Sequence, residues 1–284
     1  MNARTDQHIL ARPDVFFATL PSGVRMPYVV RGSGAPLLFV HGSLCDYRYW
    51  NGQMDVLSQR FQCVSVSLSH YWPADDTSIA ATFSWSTHVA ELAEFITAMD
   101  IGPVHLVGHS RGGCVAFHLA REYPYLVQSL TLADPGGPLL IDGMPEAPAA
   151  PATDALRAQA AALIGSGDID AGLELFVDSV SMPGIWRKSP VAFRTMAIDN
   201  ADTLPKQFRD PLPAYTRAAA EAIQCRTLLI AGAKSPRVYR QNVETLVEWM
   251  EDAEQHTVAG ASHGMNVTHA AEFNRVVDAF VSGI

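Results

Sequence analysis

Short runs of apolar, often β-branched residues alternate along the chain with longer stretches whose apolar positions recur every three to four residues. The first spacing belongs to strands and the second to helices, so the alternation predicts repeated βα units around a mainly parallel sheet. Residues 15–19 and 24–31 flank Pro21-Ser22-Gly23, a turn signal, and predict an opening antiparallel hairpin. Residues 36–40, 62–68, 104–107 and 127–132 are almost continuously apolar, as strands covered on both faces should be. Between them, residues 84–99 carry Val89, Leu92, Ala93, Ile96 and Met99 on one helical face. Residues 114–123 are apolar nearly all round and predict a deeply packed helix.

The pattern changes after Asp134. Residues 136–152 are dense in Gly, Pro and Ala and read as a linker. Residues 153–221 then carry helical signals interrupted by prolines, over 155–164, 171–180 and 191–198, with no convincing strand. The βα alternation resumes with a strand at 226–231, a helix at 240–250, a short strand at 255–258 and a last helix over 266–281. The expected division is one core made of residues 1–135 and 222–284, with 136–221 as linker and helical cap.

Composition narrows the functional classes. At 284 residues, 48% hydrophobic and 17% charged, the chain suits a compact α/β unit with an insertion. A formal net charge of -9 opposes binding to a phosphate backbone, so nucleic acid is not an expected partner. The N-terminal stretch lacks an apolar leader core and the apolar runs are strand-sized, so no membrane association and a cytoplasmic location are expected. On that reading the glycosylation sequon Asn266-Val267-Thr268 is inert. The four cysteines are scattered without a C-x-x-C pair, and no metal-ligand spacing, G-x-G-x-x-G or phosphate loop occurs. Chemistry without metal or cofactor on a small-molecule substrate is the expectation.

That chemistry centres on Gly108-His109-Ser110-Arg111-Gly112, a G-x-S-x-G pattern between an apolar strand and a helix. A sharp strand-to-helix turn exposes the serine Oγ at the helix N-terminus, and Gly108 and Gly112 keep side chains out of the crowded crossing. The helix dipole and the backbone N–H of Arg111 can then stabilise the charge that develops when Oγ attacks a carbonyl. His263, on the loop 260–265, is the matching base, since an imidazole titrates near neutrality and can take the serine proton. His88, His105, His118, His256 and His269 fall in strands or helices and read as structural.

Three motifs in this order, VHGS near His41, GHSRGG around Ser110 and ASHGMN around His263, resemble the α/β-hydrolase superfamily over nearly the whole chain. The resemblance implies an eight-stranded, mostly parallel sheet with helices on both faces and a helical cap after strand six, where the helical insertion falls. It also implies that Ser43 or Leu44 supplies a second oxyanion-hole N–H beside that of Arg111. Gly42 would let the backbone approach the substrate, and His41 would brace the loop by hydrogen bonding. Asp46 to Trp50 start a helix and read as packing ahead of pocket lining. Residues 67–73, SLSHYWP, put aromatic groups where relatives carry a charged loop, either to narrow a pocket or to pack.

The triad acid departs from the family pattern. Many members carry Asp in a G-x-x-D-P sequence after strand seven, but here the stretch is Gly232-Ala233-Lys234-Ser235-Pro236. Ser235 can orient His263 through a hydrogen bond, yet it cannot stabilise the imidazolium as a carboxylate does. Asp134 is the leading candidate, because adjacent parallel strands bring their carboxyl ends to one crevice and some members of the superfamily place their acid there. Asp199 and Asp202, at the exit of the cap, are the fallback. The resulting expectation is a serine hydrolase acting on a small ester, thioester or lactone through an acyl-enzyme. A carbon–carbon bond hydrolase, a perhydrolase of the cofactor-free haloperoxidase kind and a ligand-binding receptor with slow hydrolysis are the alternatives on the same constellation.

Overall fold

The structure, a computed structural model, describes residues 14–142 and 151–284. The leader reading over residues 1–13 and the linker reading over 143–150 lie outside the described residues.

Its strands are β1 (Phe16–Thr19), β2 (Arg25–Arg31), β3 (Pro36–Val40), β4 (Gln62–Val66), β5 (Val104–His109), β6 (Val127–Ala133), β7 (Leu139–Leu140), β8 (Tyr215–Thr216), β9 (Thr227–Gly232) and β10 (Ala253–Val258). Eight of them form one sheet in the order β1-β2-β4-β3-β5-β6-β9-β10. β2 runs antiparallel to both β1 and β4, and every other pairing in that sheet is parallel. The helices before the insertion are α1 (Asn51–Leu57), α2 (Asp76–Ala80), α3 (Trp85–Ala98) and α4 (Arg111–Glu122). Within it come α5 (Pro151–Gly165), α6 (Ile169–Val180), α7 (Ile185–Lys188), α8 (Val191–Asp199), α9 (Thr203–Arg209) and α10 (Arg217–Glu221). The chain closes with α11 (Arg237–Trp249), α12 (Met265–Thr268) and α13 (Ala270–Ser282).

Strand alternation divides the core into two layers. In β3, Leu38 and Val40 face the layer built on Phe95 and Ile96 of α3, Val115 and Phe117 of α4 and Leu246 of α11. Leu37 and Phe39 face the opposite layer, with Met54 of α1 and Phe273, Val277 and Phe280 of α13. All four β3 residues are fully buried, each contributing roughly 1.5–3 kcal/mol of hydrophobic stabilisation. A third cluster joins Leu44 of the core to Leu173, Val177, Trp186 and Leu204 of the insertion. Polar ties reinforce it: Arg111 is paired with Asp210 at 2.5 Å, and Arg48 binds both Asp46 and Asp199, at 2.6 and 2.8 Å.

Several element boundaries differ from those expected. The insertion contains a strand after all, since β8 pairs with β7 in a short parallel ladder. α11 starts one turn before residue 240, and that turn escaped the apolar pattern because Val238 and Tyr239 face a cavity, whereas the core-facing periodicity starts only at Val243. The last helix is broken at His269, whose φ of -130° and ψ of 43° interrupt the helical path. The short helix α2 carries a signal in its cap, where Asp75 accepts from the backbone N–H of Thr77 and Ser78. Among the described residues no helix is long and apolar enough to cross a membrane.

Candidate active site

Ser110 stands between β5 and α4 with φ 53° and ψ -121°, a conformation that a non-glycine residue rarely adopts. Its neighbours enforce the turn: a Cβ on Gly108 would come within 2.5 Å of the Gly112 carbonyl oxygen, and one on Gly112 would strike the carbonyl of His41. The Ser110 N–H bonds the Ala133 carbonyl at 3.0 Å, and the Ser110 carbonyl accepts from Gly136 at 2.9 Å. The elbow is thereby tied to the end of β6. Leu44 and Asp134 also take positive φ, 61° and 41°, so three of the five such non-glycine residues described here gather at one place. Strain held by surrounding structure concentrates at functional sites.

Asp134 follows directly on β6. Its N–H bonds the Ile230 carbonyl of β9 at 2.8 Å, while Asn242 of α11 donates to the carbonyls of Pro135 and Gly137 at 2.8 and 2.9 Å. The fully buried carboxylate receives the Nδ1–H of His263 on Oδ2 at 3.0 Å. A carboxylate only accepts, so this bond places the imidazole proton on Nδ1 and leaves Nε2 free to act as a base. The same Oδ2 accepts from Ser235 Oγ at 2.5 Å. Ser235 therefore bonds the carboxylate rather than His263, in departure from the role open to it in the sequence. Asp199 is held by Arg48, and Asp202 lies exposed at the start of α9, so neither joins His263.

Two rings hold the imidazole in place. Tyr239 stacks on it with centroids 4.0 Å apart and planes 22° from parallel, and His109 lies at 4.6 Å and 43°. The His109 Nε2–H donates to the His263 carbonyl at 2.8 Å, and burial keeps that ring far below the usual histidine range and hence neutral. The Tyr239 hydroxyl shares the cavity wall with Ser110 and interacts with it electrostatically. Desolvation, and then the nearby Asp134 charge, push its pKa upward, so it remains a protonated donor. Neither residue stood out in the sequence: His109 occupies a variable position of the motif, and Tyr239 follows a proline after the usual acid position without a motif of its own.

The loop after β3 supplies the opposite wall. His41 is neutral, with burial lowering its pKa to about 4; its Nδ1–H donates to the Gly42 carbonyl at 2.9 Å and its Nε2 accepts from the Leu68 N–H at 3.1 Å. Gly42 passes so close to the elbow that a Cβ there would lie 3.0 Å from the Ser110 Cβ. Ser43 and Leu44 line the cavity beside Ser110, and the Ser43 hydroxyl donates to Gln207 of α9 at 2.6 Å. Arg111 opens α4, so its backbone N–H has no acceptor a turn earlier in the helix. Tyr49 reaches this wall, whereas Tyr47 and Trp50 pack in the interior. The aromatic stretch 67–73 does not line the cavity: Tyr71 is fully buried, and Trp72 stacks on Tyr47 beneath the Arg48 guanidinium.

Ser110 and His263 open onto one cavity of about 1070 Å³ between the ends of the strands and helices α5, α6, α8 and α9. Its walls are largely apolar, with Phe176, Phe193, Phe208 and Leu212 among them. Among the described residues no group of three His, Cys, Asp or Glu side chains is arranged to hold a metal ion.

Comparison with known proteins bears on this arrangement. Residues 37–276 match the model of the Alpha/beta hydrolase family. An uncharacterised protein of Mycobacterium tuberculosis is 33% identical over 128 residues, 45% of this chain but only 37% of that relative's own length. The 2-hydroxymuconate semialdehyde hydrolase of Pseudomonas sp. strain CF600 is 24% identical across 95% of both chains. Among solved structures, an esterase from Exiguobacterium antarcticum superposes with a TM-score of 0.79 at 20% identity, covering 94% of this chain and 98% of that one.

Proposed function

The chain belongs to the alpha/beta hydrolase family, and from that premise we propose that it is a serine hydrolase cleaving small esters, thioesters or lactones. One observation carries the reading: a strained serine at a helix N-terminus shares a cavity with a histidine whose other nitrogen is bonded to a buried carboxylate. In this mechanism Ser110 Oγ attacks the carbonyl carbon while His263 Nε2 takes its proton. Asp134 holds the Nδ1–H tautomer and stabilises the imidazolium. The N–H groups of Arg111 and of Ser43 or Leu44 receive the oxyanion, and His263 returns the proton to the leaving group. Water activated by the same imidazole then releases the acid. The largely apolar wall of the cavity strengthens each of these interactions.

The test is covalent. An organophosphonate should modify the protein once, at Ser110, as read by peptide mass spectrometry, and Ser110→Ala should remain folded while losing both labelling and about 10⁴-fold or more in kcat on acyl esters. Labelling at another residue, or turnover surviving in Ser110→Ala, would refute the assignment. A second reading, hydrolysis of a carbon–carbon bond, is favoured by likeness along nearly the full length to the 2-hydroxymuconate semialdehyde hydrolase. Parallel assays on aryl esters and vinylogous diketones separate the two.

A further inference from the structure

The cavity departs from the charge balance of the chain that encloses it. The protein carries 29 acidic against 20 basic residues, yet among the described residues no aspartate or glutamate lines the cavity that holds Ser110. Asp134, the nearest carboxylate in the catalytic arrangement, is fully buried and absent from the lining. Three basic side chains do line it: Arg111, Arg157 and Lys188. Arg111 is neutralised by Asp210 at 2.5 Å, and Lys188 is an exposed residue at the end of α7.

Arg157 is different. It projects from α5, is half-buried, and its guanidinium lies over the Phe208 ring, 6.0 Å from the centroid, on the cavity wall. Among the described residues it has no acidic partner within salt-bridge distance. Its charge is felt at the hydroxyl of Tyr239, the ring that stacks on His263 and shares the cavity wall with Ser110. A guanidinium on a largely apolar cavity wall, with no carboxylate partner among the described residues, is available to a ligand that supplies the counter-charge. The guanidinium is also the side chain best shaped for such a ligand, since its planar fork matches the two oxygens of a carboxylate.

We propose that Arg157 is a substrate-binding residue that selects substrates bearing a carboxylate group remote from the scissile bond, such as half-esters of dicarboxylic acids. This rests on the serine-hydrolase reading and specifies its substrate class. The carboxylate would dock against Arg157 with its carbon chain along Phe208, placing the ester carbonyl at Ser110. The reaction then cleaves the ester C–O bond with water and releases a dicarboxylate and an alcohol.

The experiment compares 4-nitrophenyl half-esters of succinate, glutarate and adipate with uncharged 4-nitrophenyl esters of equal acyl length, on wild type, Arg157→Gln, Arg157→Glu and Lys188→Gln. Wild type should prefer the half-ester of one chain length by at least about tenfold in kcat/KM, mainly through KM. In Arg157→Gln that ratio should collapse toward one, in Arg157→Glu it should invert, and in Lys188→Gln it should persist. If uncharged esters are turned over with no preference for the half-ester, or the preference survives Arg157→Gln, or it depends on Lys188, the assignment is overturned while the serine-hydrolase reading stands. If no ester of either kind is cleaved, that reading fails instead. Titration calorimetry of Ser110→Ala with monomethyl glutarate and with dimethyl glutarate tests charge selection without turnover: equal affinity for the two would overturn it.

Discussion

Ser235 and His263 converge on a single oxygen of Asp134, the hydroxyl at 2.5 Å and the Nδ1–H at 3.0 Å. The serine stands where many family members carry their acid, and here it bonds the carboxylate proposed to take that role. A fully buried carboxylate requires donors, and a hydrogen bond to a charged group contributes more than one between neutral groups. Ser235 helps keep the Asp134 charge in place without carrying charge itself.

This division of labour makes the two positions unequal. Asp134→Asn should lose on the order of 10⁴ in kcat, because an amide can present its N–H to Nδ1 and favour the wrong tautomer. Ser235→Ala should stay within about tenfold in kcat while losing about 1–3 kcal/mol of stability, the effect of removing one donor from a buried charge. Steady-state kinetics and denaturant titration of both variants check the pair. Activity in folded Asp134→Asn within about tenfold of wild type would remove Asp134 from the mechanism.

Tyr239 offers a finer test, since its ring and its hydroxyl do different things. Tyr239→Phe keeps the stack on His263 at 4.0 Å but removes the hydroxyl that interacts with Ser110 across the cavity wall. A drop of about tenfold in the acylation rate is expected, equivalent to about 1.4 kcal/mol and of the size of one lost hydrogen bond. Tyr239→Ala should cost more, because the imidazole loses its stacking partner as well. Pre-steady-state burst kinetics separate acylation from deacylation, and equal rates for the phenylalanine and alanine variants would show that the stack contributes nothing.

The buried histidines predict the direction of acid sensitivity. Burial lowers His41 and His118 to about 4 and holds His88 and His109 well below the ordinary value. The unfolded chain, with histidines near 6.5, therefore takes up protons before the folded one. Their contribution is fully present above about pH 6.5 and is lost as pH falls toward 4, by roughly 3 kcal/mol for His41 alone. Glu91, raised to about 7 by desolvation, works the other way, its contribution being present below the unfolded value near 4.5 and lost as pH rises through 7. Four histidines outweigh one carboxyl, so the thermal midpoint should fall between pH 7 and pH 5. A midpoint that holds or rises over that interval would contradict this.

The strained serine proposed as nucleophile was legible because its geometry is local. Gly108, Ser110 and Gly112 are near neighbours in the chain, and the steric demands of a sharp strand-to-helix turn act over just those residues. The proposed base was legible for a related reason, since His263 lies on a loop between a strand and a helix while the histidines read as structural fall in or beside regular elements. Periodicity likewise indicated the strands of the main sheet, because each buried strand must be apolar on both faces. It missed β8, where two residues are too few to show a period, and the first turn of α11, where Val238 and Tyr239 face the cavity.

The sequence by itself determined the sheet, the elbow at Ser110 and the absence of a carboxylate at the usual acid position, each set by residues close together in the chain. Only the tertiary structure decided which acid meets His263, what Ser235 bonds and which ring covers the imidazole. Asp134 lies 129 residues before His263 and 101 before Ser235, and nothing local to any of them encodes the meeting. It arises because β6, β9 and β10 pair in parallel and carry the loops that hold Asp134, Ser235 and His263 to the same edge of the sheet. The same holds for Arg157, an unremarkable arginine in a helical pattern that comes to line the cavity, without a carboxylate partner among the described residues, only when α5 is folded over it.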